Sequence, residues 1–197
     1  MAKQKISIQD IYAVTGELLI EKGYAGFHFK LVSDQLNVSR STIYEYFPNK
    51  DELISSLMAH LMDTMMQEID GFQQVESPLE KMRKIFDLFR KYSHIHQILQ
   101  NAPYVNIEGS PSVQQSLHSL RSQHQTLNRL LTQIVDACKE RSLLRSDIPS
   151  SLITTILFTS VQIPSSSTIE EQEWNDLIFT VLLEGFGASN GHKPATS

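Results

Sequence analysis

The chain has 197 residues, 41% of them hydrophobic and 20% charged, and 17 Lys plus Arg against 22 Asp plus Glu give a formal net charge of -5. That balance is globular rather than disordered, and the length allows one domain of good size, or a small one joined to a larger, with a core that needs neither disulfide nor metal. The lone cysteine, Cys138, excludes an intramolecular disulfide and a zinc-finger framework, no apolar run approaches the roughly 18 residues of a bilayer span, and Asp10 and Glu17 interrupt any signal-peptide core, so a cytoplasmic protein without membrane contact is expected.

Helical periodicity dominates the whole chain. From about Ser7 to Lys22, Ile8, Ile11, Tyr12, Leu18 and Leu19 fall on one face, and Gly23 stands where a left-handed cap would end the helix. The stretch Phe29 to Phe47 meets the demands of a helix-turn-helix. Phe29, Val32 and Leu36 give the first helix an inner face, and Ser33 is the small residue at the crossing. Asn37 suits a left-handed turn position, Val38 plugs the turn, Ser39 caps the second helix, and Ile43 and Phe47 point inward. The outward face is then Arg40, Ser41, Thr42, Tyr44, Glu45 and Tyr46, a set of donors, acceptors and rings suited to a major groove. Tyr44 and Tyr46 are two apart, so at least one ring must face out. Lys50 stands where its ammonium and the first amides of the next helix could share a phosphate.

Asn49 caps that long helix, whose stripe is Leu53, Leu57, Leu61, Met65 and Ile69, widened by Ile54, Met58, Met62 and Met66, up to Gly71. Ser77 and Pro78 start a helix carrying Met82, Ile85, Phe86, Phe89 and Tyr92, which runs on until Asn101-Ala102-Pro103 breaks it. After the turn at Gly109-Ser110-Pro111 comes a long stripe at Val113, Leu117, Leu120, His124, Leu127, Leu131, Ile134 and Cys138. Pro149 opens a helix with Leu152, Ile153, Ile156, Leu157 and Val161; the last helix carries Trp174, Leu177, Ile178, Val181, Leu182 and Phe186, and the tail 188–197 reads as disordered. The expected fold is all-α, with about nine helices: a three-helix unit with the helix-turn-helix over 1–50 and a helical bundle over 51–187, for which the resemblance stated next implies effector binding and dimerisation.

The run Ser39-Arg-Ser-Thr-Ile-Tyr-Glu-Tyr-Phe-Pro-Asn-Lys-Asp-Glu-Leu53 resembles the DNA-reading segment of the TetR family of bacterial transcriptional regulators, over roughly Ile11 to Leu53. The resemblance implies DNA contacts at Lys30, Ser39, Arg40, Ser41, Thr42, Tyr44, Tyr46 and Lys50, with Thr42 and Lys50 on phosphates and Arg40 and Ser41 near base edges. It also implies that the last two helices pair with their copies into a dimer, through Ile153, Leu157, Trp174, Ile178, Val181, Leu182 and Gly185. In one departure, Phe27 and His28 stand where the family usually places Thr residues. The second of these normally caps a helix and touches a phosphate; His28 is a poorer cap, and Phe27 can do neither.

Met62, Met65, Phe86, Phe89, Tyr92, His96 and His124 are the candidate lining of an effector pocket, since Met can reshape around an apolar ligand; the competing reading for each is core packing. No metal site is expected, because His94 and His96 point to different faces, and no redox role for Cys138, because nothing marks a base beside it on its own helix face. No cofactor is expected, and no catalytic activity, because no nucleophile elbow, phosphate loop or HExxH stands in the chain. Function is therefore expected to be that of a ligand-responsive repressor, binding a palindromic operator in double-stranded DNA as a homodimer and released by a small apolar or amphipathic effector. The alternative is a helical sensor or adaptor of the same fold that no longer reads DNA. Residues 1–50 hold six basic and five acidic groups and the remainder 11 and 17, so the acidic total belongs mainly to the bundle.

Overall fold

The computed structural model describes residues 6–187; Lys3, Lys5 and the tail 188–197 lie outside the described residues. Among these there are nine α-helices and no sheet: α1 (Ile8–Gly26), α2 (Phe29–Gln35), α3 (Arg40–Tyr46), α4 (Lys50–Asp70), α5 (Pro78–Lys91), α6 (Ser93–Leu99), α7 (Pro111–Glu140), α8 (Ser150–Ser160) and α9 (Glu171–Phe186). The all-α expectation holds.

The helix starts follow local capping chemistry. Ser7 Oγ accepts from the Asp10 amide at 3.1 Å while the Ser7 amide donates to Asp10 Oδ2 at 2.7 Å, a reciprocal box that satisfies two orphan amide donors. Asn49 Oδ1 accepts from the Glu52 amide at 2.9 Å, and Ser77 Oγ from the Glu80 amide at 3.3 Å, ahead of Pro78.

Two expectations are corrected. Gly23 does not end α1. It takes φ 65° and ψ 178° inside the helix, a conformation open to glycine, so the chain kinks there and resumes helical geometry to Gly26. The helix opening at Pro78 does not run on to Asn101 either. Tyr92 leaves the helical region at φ -104° and ψ 25°, and α6 starts afresh at Ser93. A continuous apolar pattern crosses that break, and so hides it.

The helices pack into two compact units: among the described residues, 6–65 with 94–124, and 66–93 with 125–187. The helix-turn-helix lies in the first. The core of this unit is fully buried at Ile11, Phe27, Val32, Ile43, Leu53, Ile54 and Met58, and Ile98, Val105, Val113 and Leu117 join it. Each such large side chain contributes about 1.5–3 kcal/mol on leaving water.

In the second unit α5, α8 and α9 pack together. Phe86 meets Phe179 at 5.3 Å between ring centroids, and Phe89 meets Phe158 edge-on at 5.6 Å. Arg90 is buried here. Its Nε donates to Asn175 Oδ1 at 2.7 Å, and its Nη1 donates to the carbonyls of Val161 at 3.0 Å and Ile163 at 2.5 Å, at the end of α8. Cys138 is also buried, and burial pushes its thiol up to about 11, so little reactive thiolate exists near neutral pH. No helix among the described residues is long and apolar enough to cross a membrane.

Candidate nucleic-acid interface

The turn between α2 and α3 is built as its residue types demand. Asn37 takes φ 53°, which lets the chain reverse, and the Val38 amide donates to the Ser33 carbonyl at 3.0 Å. Ser33 is buried at the crossing and its hydroxyl donates to the Lys30 carbonyl, so close packing leaves no polar orphan. Ser39 caps α3 by accepting from the Thr42 amide at 3.2 Å. Ile43 and Phe47 are buried beneath α3. A seven-residue helix this short depends on that anchoring, because its own hydrogen bonds cannot offset the entropy of forming it.

With the inner face fixed, the outer face is determined. Arg40, Ser41 and Glu45 are exposed, Tyr44 is 55% exposed and Tyr46 is 40% exposed, so both rings face out. Tyr44 leans on Phe29 with centroids 4.9 Å apart, which limits its motion without covering it. Lys30 is exposed on α2.

Of the outward set Thr42 is placed differently, and Tyr46 and Lys50 carry contacts that the sequence did not reveal. Thr42 is 6% exposed, with its Oγ1 2.9 Å from Ser39 Oγ, so it sits in the cap rather than on the outer face. The Tyr46 hydroxyl donates to the Ile6 carbonyl at 2.6 Å and ties α3 to the segment before α1. Lys50 is half-buried, with Nζ 3.9 Å from the centroid of the Tyr24 ring and donating to the Tyr24 carbonyl at 3.4 Å. The Tyr24 hydroxyl in turn donates to Asp51 Oδ1 at 2.5 Å, and burial together with that carboxylate pushes its pKa up to about 12. Sequence reasoning missed Tyr24: it is 26 positions from Lys50, and only the fold joins them.

The departures at 27 and 28 have a structural outcome. Phe27 is wholly buried in the core of the first unit. His28 occupies the cap position of α2 with an extended backbone and makes no side-chain cap hydrogen bond.

The candidate effector residues divide between the units by position. Met62, Met65, His96 and His124 belong to the first, and Phe86, Phe89 and Tyr92 to the second. Met62, Met65, Phe86 and Phe89 are buried, His96 and Tyr92 half-buried. His124 is exposed, which corrects its reading as a core histidine on the apolar stripe of α7. The Tyr92 hydroxyl donates to Glu68, and burial holds His96 below the usual imidazole range. The first unit also has an open groove of about 470 Å³ between α1, α4 and α6, lined by Tyr12, Gly16, Glu17, His60, Leu61 and His94 among others; none of the candidate effector residues lines it.

Of the candidate dimer residues, Ile153, Leu157 and Ile178 are buried within the second unit, Trp174 and Leu182 are half-buried, and Val181 and Gly185 are exposed. The Trp174 indole donates to the Pro164 carbonyl at 2.9 Å. The large side chains left outermost on α8 and α9 are Leu152, Leu177 and Val181, at 49%, 45% and 66% exposure. Among the described residues no group of three or more His, Cys, Asp or Glu could hold a metal ion.

Residues 11–57 match the tetR family of bacterial regulatory proteins. That segment is of the TetR family. It spans α1 to the first turns of α4, the same stretch that carries the turn at Asn37 and the exposed face of α3. The chain is 26% identical over 119 residues to the HTH-type transcriptional regulator YhgD of Bacillus subtilis, a match covering 59% of this chain and 61% of that relative. Among solved structures it is similar to the ketosteroid transcriptional regulator KstR2 of Mycobacterium tuberculosis, with a TM-score of 0.77 at 14% identity, over 95% of this chain and 99% of that one. It is also similar to AibR in complex with isovaleryl coenzyme A and operator DNA, with a TM-score of 0.75 at 12% identity, over 89% and 97% of the two chains. At such identities the structural likeness speaks for the fold alone.

Proposed function

We propose that this TetR-family chain is a ligand-responsive repressor that binds a palindromic operator as a homodimer and is released by a small apolar or amphipathic effector. One observation carries the reading: a capped, rigidly seated α3 presents Arg40, Ser41, Tyr44 and Tyr46 to solvent while its inner residues are buried. A helix so displayed can lie in a major groove, where a guanidinium reads the O6 and N7 of guanine and hydroxyls take phosphates or base edges. Two such heads on one dimer would contact half-sites about 34–36 Å apart, or a multiple of that. The apolar side chains Leu152, Leu177 and Val181 on the outer face of α8 and α9 support pairing with a second copy.

The near-neutral charge of residues 1–50 sets the character of binding. Few phosphates are neutralised per head, so non-specific affinity is modest and the operator complex depends on dimerisation and on the Arg40 to Lys50 segment. Release follows if the effector prefers the DNA-incompetent state, each factor of ten in preference being worth about 1.4 kcal/mol. Complexes of similar chains with isovaleryl coenzyme A and operator DNA, and with choline in a Saccharomonospora viridis regulator, support a small-molecule effector without naming this one.

Selection of bound fragments from sheared genomic DNA at low salt, followed by release with candidate ligands, tests the reading. Retention of a fragment containing an inverted repeat is the expected result. A folded dimer that retains nothing would instead favour the sensor or adaptor reading, which the missing cap hydrogen bond at His28 supports. Arg40→Ala is expected to relax preference at one base pair, costing about 1–3 kcal/mol on the operator. Equal losses on every sequence in a binding-site selection would remove Arg40 from base reading.

A further inference from the structure

The ammonium of Lys50 is not free at the start of α4. It lies over the face of Tyr24, 3.9 Å from the centroid, and one of its three donors is engaged by the Tyr24 carbonyl at 3.4 Å. Tyr24 is held at its hydroxyl, its ring and its backbone amide. Its hydroxyl donates to Asp51 Oδ1 at 2.5 Å, Tyr104 stacks on it with centroids 6.0 Å apart, and the Tyr24 amide donates to Asn101 Oδ1 at 3.0 Å. Asn101 is 7% exposed, and its Nδ2 donates to the carbonyls of Gln97 at 3.2 Å and Ile98 at 3.0 Å in the last turn of α6. A continuous series of bonds therefore runs from the end of α6 through Asn101 and Tyr24 to Lys50.

We propose that Tyr24 is the positioning residue for the Lys50 phosphate contact, and that Asn101 makes that position depend on the last turn of α6. This rests on the DNA-binding reading above. Lysine is a flexible point charge whose four-carbon stem loses rotamer freedom when held. A ring that already holds the ammonium removes part of that loss before DNA arrives, and leaves donors open to a phosphate oxygen. The Tyr24 hydroxyl also donates to Asp51, the carboxylate adjacent to Lys50, but it is the ring face that holds the ammonium. Gly23, at φ 65°, breaks the helical geometry of α1 immediately before Tyr24.

The test is the slope of log K against log salt for the full chain on its retained DNA fragment. Lys50→Ala is expected to lower that slope by about one per half-site. Tyr24→Leu should lower it by as much, and should have no further effect when Lys50 is already Ala. Tyr24→Phe, which keeps the ring, should keep the wild-type slope. A residue needed only for folding would lower stability and leave the slope alone. In the DNA-free protein, the Lys50 ε-methylene protons should show an upfield ring-current shift that Tyr24→Leu abolishes and Asn101→Ala diminishes. This second reading does not depend on DNA, and Asn101→Ala supplies it if Tyr24→Leu does not fold. A folded Tyr24→Leu protein with the wild-type slope, or Lys50 shifts unmoved in Asn101→Ala, would overturn the inference and leave the function reading standing. Wild-type protein that binds no DNA would overturn both.

Discussion

Replacing Phe27 with threonine, the residue usual in the family at this position, is expected to destabilise the first unit by about 3–5 kcal/mol. Phe27 is 0% exposed and packs among Ile11, Val32, Ile43 and Leu53. The smaller side chain leaves a cavity where the ring was, and its hydroxyl enters a site that offers no evident partner. At roughly 2–4 °C per kcal/mol for a chain of this size, thermal unfolding should fall by roughly 10 °C. A change under 1 kcal/mol in urea titration would show that the ring contributes little. His28→Thr should go the other way. The cap position of α2 is exposed and makes no side-chain cap hydrogen bond, so a Thr hydroxyl there is expected to gain about 0.5–1 kcal/mol and to offer DNA an additional donor. The two neighbouring departures from the family pattern thus differ in kind: one belongs to the core, and the other is a missing cap.

Arg90→Ala is expected to cost the second unit a similar amount, about 3–5 kcal/mol, measured at fixed protein concentration. Arg90 is 4% exposed, and its guanidinium satisfies the Asn175 side chain and the Val161 and Ile163 carbonyls. Removing it strands three acceptors, each buried or partly so, and loosens the connection from α8 to α9. Burial lowers the guanidinium pKa while Glu171 opposes the shift, but arginine stays charged at any working pH. Arg90→Lys should recover less than half of the loss, because an ammonium cannot reproduce the fork that serves three acceptors at once. Full recovery by lysine would mean that charge alone, rather than geometry, matters there. The face carrying Leu152, Leu177 and Val181 lies on the same two helices, so the variant should also dimerise less well under the proposed function.

Much of the fold was legible in the sequence because the relevant signals are local. Asn49 and Ser77 cap their helices through amides three residues on, Asn37 takes the left-handed turn, and Ser33 fills the crossing, all interactions within a few positions. The inward set Phe29, Val32, Ile43 and Phe47 followed from helical period, and with it the exposure of Tyr44 and Tyr46. The break at Tyr92 was not legible, because apolar spacing continues across it into α6. His124 fell on the α7 stripe by spacing and is exposed. Period says which residues share a face, and not whether anything lies against that face at a given turn.

The sequence by itself determined the all-α class, the helix-turn-helix with its capped α3, and the family to which that segment belongs. Tertiary structure alone decided what the polar side chains do. It set the Tyr46 hydroxyl on Ile6, Lys50 on Tyr24, Asn101 between α6 and Tyr24, and Arg90 against the end of α8. The physical reason is range. Propensity, capping and period act within one or two turns, and a short stretch of sequence contains both partners. A long polar side chain has many possible partners, and only packing the chain fixes which of them, 26 to 77 positions away, lies within 3 Å or so.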